Sequence, residues 1–175
     1  MDKKTLQDVL NTALGMEEKG HKFYKEVSQI SKNNIARKTF GFLADNELLH
    51  IESIKSFYNS LKEKGDFPEL ELDRTGKERM DDLNIFSRNM KEMKAKVKPS
   101  EDDKKACEFA MEFENSGYKY YEDMLKAAKD EKLARLLKFL LAEEKKHYES
   151  IMDLHSYLTD SQNWFMYEEG SFPQG

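Results

Sequence analysis

Apolar residues recur at three- and four-residue intervals through five segments of the chain, the period of one helix face. The first segment runs from about Thr5 to Ser31, with Leu6, Val9, Leu10, Ala13, Leu14, Met16, Phe23, Tyr24, Val27 and Ile30 on the stripe. The second runs to about Lys64, with Asn33 or Asn34 as its cap and Ile35, Phe42, Leu43, Ile51, Ile54, Phe57, Tyr58 and Leu61 on the apolar side. Gly65-Asp66-Phe67-Pro68 breaks the pattern, and Gly76 closes an irregular stretch. A shorter helix follows over about Lys77 to Lys96, with Met80, Leu83, Phe86, Met90 and Met93 as core filling, and Pro99 stops it. Ser100 caps a third long helix, with Asp103 in the capping-box position, that reaches about Ala128. Asp130 caps a fourth that reaches about Leu158.

Helices of about 27 residues are roughly 40 Å long. Two such pairs, each joined by a short turn, predict two antiparallel hairpins, over about 5–64 and 100–158. The connection over 65–99 far exceeds a bundle turn of about 2–8 residues and is long enough to cross the bundle from end to end. The predicted fold is all-α: a four-helix bundle over residues 1–160 whose long crossover contains an additional helix. The tail 161–175, with Trp164, Phe165, Met166 and Tyr167, is apolar and is expected to lie over the bundle or meet another subunit; a homodimer or higher homo-oligomer is expected as well.

Composition narrows the classes. Gly and Pro number only 8 and 3 of 175, which suits long helices. The net charge of −5 argues against a general nucleic-acid binder. No apolar run approaches the ~20 residues of a membrane span. Met1-Asp2-Lys3-Lys4 lacks the apolar stretch of a signal peptide, so a cytoplasmic protein with no membrane partner is expected. The single cysteine, Cys107, excludes an internal disulfide, a zinc ribbon and a four-cysteine iron site, and reads as a small semi-buried residue.

The two hairpins repeat at a shift of 97 residues. Residues 13–26 and 38–54 match 110–123 and 135–151 at 12 of 31 positions without a gap. Unrelated pairing at ordinary composition gives about two. The polar identities include Glu17/Glu114, Glu47/Glu144 and His50/His147, each where the stripe calls for a core residue. Residues at i and i+3 share a helix face, so Glu47 points inward with His50, and Glu144 with His147. Surface ion pairs, the other reading of these charges, do not fit an inward stripe. Four carboxylates in a core are prohibitively costly without a counter-charge. Two divalent cations supply it, and carboxylate oxygen with imidazole nitrogen suits iron, manganese or zinc.

At these residues the chain resembles the rubrerythrin-type branch of the ferritin-like superfamily. The blocks that carry the resemblance are Ala13-x-x-x-Glu17-x-x-Gly20-x-x-Phe23-Tyr24, Leu43-Ala44-Asp45-x-Glu47-x-x-His50 and Ala142-Glu143-Glu144-x-x-His147. It implies a carboxylate-bridged di-iron centre with Glu47 and Glu144 bridging, Glu17 and Glu114 terminal, and His50 and His147 completing the set. Tyr24 and Tyr121 would then hydrogen-bond the ligands, although packing alone also accounts for two buried tyrosines. Two departures stand out. Rubrerythrins usually append a small four-cysteine iron module that supplies electrons, and one cysteine cannot build it. They also carry an extra Glu one turn after the third-helix ligand, used when one iron changes position; here that residue is Gly117, the mate of Gly20.

His21 pairs with Tyr118 in the repeat and His155 has no mate, so both read as rim residues. Glu18, Glu52, Glu143 and Glu149 flank the ligands and are expected mostly at the rim or surface, with Glu52 and Glu149 candidates for supporting contacts. The expected function is reduction of hydrogen peroxide or dioxygen by two Fe(II) ions, reset by an external electron donor such as a small iron–sulfur protein. The competing function is iron binding and storage at a ferroxidase centre. A third is a structural bundle holding zinc or manganese.

Overall fold

The computed structural model describes residues 3–64 and 101–160, which form four helices: α1 (Lys3–Ile30), α2 (Asn34–Lys64), α3 (Glu101–Ala127) and α4 (Glu131–Thr159). The helix expected over 77–96, the rest of the crossover, the Ser100 cap and the tail 161–175 lie outside the described residues.

Local chemistry sets both short turns. The Asn33 side chain accepts from the backbone N–H of Ile35 at 2.9 Å and of Ala36 at 3.1 Å, so Asn33 is the cap and Asn34 the first helical residue. The Arg37 guanidinium donates to the Ser31 carbonyl at 3.1 Å and ties the turn to the helix that follows. Asp130 caps α4 by accepting from Lys132 N at 2.9 Å and Leu133 N at 3.0 Å.

α1 packs along α2 and α3 along α4; the hairpins meet where α1 faces α3 and α2 faces α4. The Tyr120 hydroxyl donates to the Val9 carbonyl at 3.0 Å, while the Phe23 ring lies 4.9 Å from Phe109. Numbers that rise along α1 fall along α3, so these helices are antiparallel. His147 beside Glu47 and Phe139 beside His50 give the same result for α4 and α2. α2 and α3 are therefore parallel, and α3 begins at the opposite end of the bundle from where α2 stops. The link between them must cover the length of a 31-residue helix, about 45 Å. This is an all-α, ferritin-like four-helix bundle.

Two apolar layers fill its ends. Phe40, Leu43, Cys107, Ala110, Leu154 and Leu158 build one; Leu10, Ile54, Phe57, Leu133, Leu136 and Leu137 build the other. Several positions differ from the expected burial. Phe40, four residues after buried Ala36 and three before Leu43, is fully buried, and Phe42 is only half-buried. Ile30 ends α1 beyond the last core contact, Val27, and is 75% exposed. Cys107 is wholly buried rather than semi-buried, because it stands three residues before Ala110 on the inner face of α3. No described helix is long and apolar enough to cross a membrane.

Candidate metal centre

Between the two apolar layers lies a polar one. Glu17 comes from α1, Glu47 and His50 from α2, Glu114 from α3, Glu144 and His147 from α4, and none is more than 4% exposed. Their donor atoms gather into three groups, each within 4.8 Å: Glu17 with His50 and Glu144; Glu114 with Glu144 and His147; Glu47 with His50 and His147. Glu144 belongs to a group in each half, and Glu47 touches both histidines. The imidazoles stack at 5.2 Å, 15° from parallel. His50 Nδ1 is 2.9 Å from Glu17 Oε2 and 3.4 Å from Glu47 Oε2. His147 Nδ1 is 3.5 Å from Glu47 Oε1 and 3.7 Å from Glu114 Oε1. Both rings thus turn Nδ1 toward the carboxylates.

The tyrosines cross the bundle. Tyr24 of α1 donates its hydroxyl proton to Glu114 Oε1 on α3, and Tyr121 of α3 donates to Glu17 Oε1 on α1. The exchange is reciprocal, as a twofold repeat requires. Both phenols stay protonated: burial first, then the neighbouring charge, Glu114 for Tyr24 and Glu17 for Tyr121, pushes each well above the usual tyrosine value.

Protons compensate the carboxylates. Burial pushes Glu17 up, but a hydrogen bond from Glu47, the His50 charge and Tyr121 pull it down to about 2. Burial and the Glu17 charge raise Glu47 to about 7. The second half behaves alike: burial opposes, but Glu144 and His147 lower Glu114, while burial and the Glu114 charge hold Glu144 well above the carboxylate range. Burial disfavours the imidazolium at His50 and His147, yet the Glu17 charge raises the first well above its usual value and the Glu114 charge raises the second to about 9. Near pH 6 the six residues then carry two negative and two positive charges, and no net charge.

Two glycines make the space. A Cβ on Gly20 would stand 3.0 Å from Phe113 Cε1 and 3.1 Å from Glu47 Oε1; one on Gly117 would stand 3.2 Å from the Glu144 carboxyl. The identity Gly20/Gly117 thus lets α1 and α3 accept Glu47 and Glu144 beside them. The sequence shows the glycines as a repeat match, but their role needs the packing.

Glu143 overturns an expectation. It is 7% exposed, not a rim charge, with Oε2 4.0 Å from His50 Nε2 and Oε1 accepting from Lys146 Nζ at 2.6 Å. Burial pushes Glu143 up, but His50 and Lys146 bring it to about 2. The helical register carried the signal, since Glu143 lies three residues after Leu140 and four before His147. Its repeat mate is Asn46, also buried, so no repeated carboxylate marks the position. His21 and His155 lie apart from the cluster, His21 on the Ala44 carbonyl and His155 near Glu108. Glu18, Glu52 and Glu149 are exposed. Cys107 has its thiol pushed up to about 12 by burial and by Asp103 and Glu108, which disfavours a reactive thiolate.

The donor set fits a metal pair. Glu47 Oε2, Glu114 Oε2, His50 Nε2 and both ring nitrogens of His147 are buried without a hydrogen bond. Unsatisfied buried polar atoms are costly, and several gathered in one layer call for a ligand. The rubrerythrin family model matches residues 8–155, a span that includes every residue of this layer. The chain belongs to the rubrerythrin family. No curated protein and no solved structure matches it. Rubrerythrins are di-iron carboxylate proteins, and the buried Glu/His layer is compatible with that chemistry.

Proposed function

We propose that this rubrerythrin-family chain is a non-haem di-iron oxidoreductase that reduces hydrogen peroxide, or more slowly dioxygen, with electrons from an external donor. The observation that carries the reading is that Glu144 joins a ligand group in each half and Glu47 lies beside both histidines, which suits carboxylates that would be shared by two ions. Glu17, Glu47 and His50, with Glu114, Glu144 and His147, would hold the pair. Iron is the natural occupant for the family, and manganese or zinc also suit these donors. Once bound, two Fe(II) ions would supply the two electrons that, with two protons from solvent, reduce hydrogen peroxide to two waters. The chain's own residues do the rest. Tyr24 and Tyr121 hold the terminal carboxylates Glu114 and Glu17 from across the bundle, limiting their rotation. The apolar layers above and below exclude water. Glu47, Glu144 and the histidines would give up protons to accept the ions. One cysteine cannot build a four-cysteine iron module within these residues, and the reading takes electrons from a partner such as a small iron–sulfur protein. A cytoplasmic homo-oligomer suits this role.

The test is an anaerobic Fe(II) titration followed by rapid mixing with each oxidant. Binding should saturate at two ions per chain. Near-ultraviolet absorbance of the oxidised centre should then grow faster with peroxide than with dioxygen. The protein should react once and stop until a reductant protein is added. Faster oxidation by dioxygen would point to an oxidase or ferroxidase, and uptake of Fe(II) far beyond two per chain would favour iron storage.

A further inference from the structure

The layer is walled differently on its two sides. Between α3 and α4 a cavity of about 270 Å³ is lined by Glu114, Asn115, Tyr118, Glu144, Lys145 and Tyr148, so two candidate ligands form its floor. The 97-residue shift gives the matching wall between α1 and α2, and there the helices are fastened together. His21 Nδ1–H of α1 donates to the Ala44 carbonyl of α2 at 2.9 Å. Glu18 of α1 stands 3.8 Å from Lys55 of α2. Ile51, the mate of Tyr148, is buried.

The second half lacks the means to close in this way. Asn115 and Met152 replace Glu18 and Lys55, so no ion pair can join α3 to α4 there. Tyr148 is 38% and Met152 44% exposed. Lys145 is turned along its own helix, 3.7 Å from Glu149. Gly117, one turn beyond Glu114, sets no side chain between α3 and the Glu144 carboxyl. A gap with two carboxylates at its base and aromatic walls suits a compact molecule that enters as its neutral acid, as hydrogen peroxide or hydrazoic acid does, and becomes an anionic ligand on arrival.

We propose that small peroxides and other compact molecules that bind as anions reach the metal centre through this α3/α4 groove rather than between α1 and α2, with Asn115, Tyr118 and Tyr148 setting the size of what passes. The proposal rests on the reading of the six buried residues as metal ligands. Azide is the probe, and its binding to the Co(II)-loaded full chain is followed by visible absorption. Asn115→Trp should slow azide binding about tenfold. Tyr148→Ala should accelerate it, and so guards against an Asn115 variant that fails to fold. Leu48→Trp, on the exposed α1/α2 wall, should leave the rate unchanged. Loss of Co(II) to a chelator should follow the same order. Equal azide rates in all three variants, or a slowing by Leu48→Trp as large as that by Asn115→Trp, overturns the route while leaving the metal reading standing. A wild-type chain that takes up no Co(II) overturns the metal reading itself, and the route with it.

Discussion

Glu47 and Glu144 are the carboxyls that hold protons in the metal-free layer, whereas Glu17 and Glu114 are ionised beside an imidazolium and a tyrosine hydroxyl. The difference follows the neighbours: burial and the Glu17 charge raise Glu47, and burial with the Glu114 and Glu17 charges raises Glu144. If they bridge two ions, Glu47→Gln or Glu144→Gln should lower metal content at both sites, while His50→Ala or His147→Ala should weaken mainly one. Metal analysis after equilibrium dialysis distinguishes these outcomes, and four variants behaving alike would count against bridging. The glycines offer a second residue-scale test. Replacing glycine by alanine inside a helix gains up to about 1 kcal/mol of propensity. At Gly117 the nearest atoms a Cβ meets belong to the movable Glu144 carboxyl, but at Gly20 the nearest is the Phe113 ring at 3.0 Å. Metal-free Gly117→Ala should therefore melt at or above the wild type and Gly20→Ala below it. Both should bind metal more weakly, because each displaces a candidate bridging carboxyl. Thermal melts and metal titrations check the two halves of this expectation separately.

At the scale of the helices, the caps tie sequence to structure most directly. Asn33 satisfies two backbone N–H groups at the start of α2, so Asn33→Ala should cost about 1 kcal/mol, read from denaturant unfolding of the metal-free protein. The same chemistry made the helix ends legible in the sequence: apolar periodicity located four long helices, and the pair Asn33-Asn34 and Asp130 marked where two of them begin, the structure choosing Asn33. The repeat made the six buried polar residues legible, because packing alone does not select matched Glu and His at one offset. What the sequence withheld depends on how helices face one another. A tyrosine two turns from Glu17 on one helix looks like its neighbour, yet Tyr24 bonds Glu114 and leaves Glu17 to Tyr121. That exchange needs α1 antiparallel to α3, which no local pattern states. Glu143 was hidden for a related reason. It sits beside Glu144 in the chain but reaches toward His50 on α2, and its mate Asn46 carries no charge. The unequal closure of the α1/α2 and α3/α4 walls likewise arises where the repeat fails, at Glu18/Asn115 and Lys55/Met152.

For the molecule as a whole, the buried protons couple folding to pH in an unusual direction. Glu47 rises from an ordinary 4.5 to about 7, and Glu144 rises too, so above pH 4.5 the folded chain holds protons that the unfolded chain has released. Stability must fall with rising pH across that window. His147, raised from 6.5 to about 9, and His50 extend the fall into the alkaline range. Below pH 4.5 the sign reverses. Glu17 and Glu143, both near 2, and the lowered Glu114 are ionised in the folded state while their unfolded counterparts take up protons, so stability also falls as the solution becomes more acid. The metal-free protein should therefore melt highest near pH 4.5, below the range of about pH 5 to 8 where most proteins are most stable. Divalent cations remove the cause. At pH 6, Glu47, Glu144, His50 and His147 each hold a proton that a metal displaces, so loading two ions should release about four protons per chain. The release should shrink as pH passes 7 and then 9, where Glu47 and His147 empty on their own. Calorimetric titrations of metal in buffers of different ionisation enthalpy count the protons, and melts of both forms across pH 4 to 9 give the stability curves. Metal should raise the melting temperature more at pH 7 than at pH 4.5, since binding energy adds where proton competition is weakest. A metal-free melting temperature that climbs between pH 4.5 and 7, or metal uptake without proton release at pH 6, would show that the buried layer does not balance its carboxylates with protons.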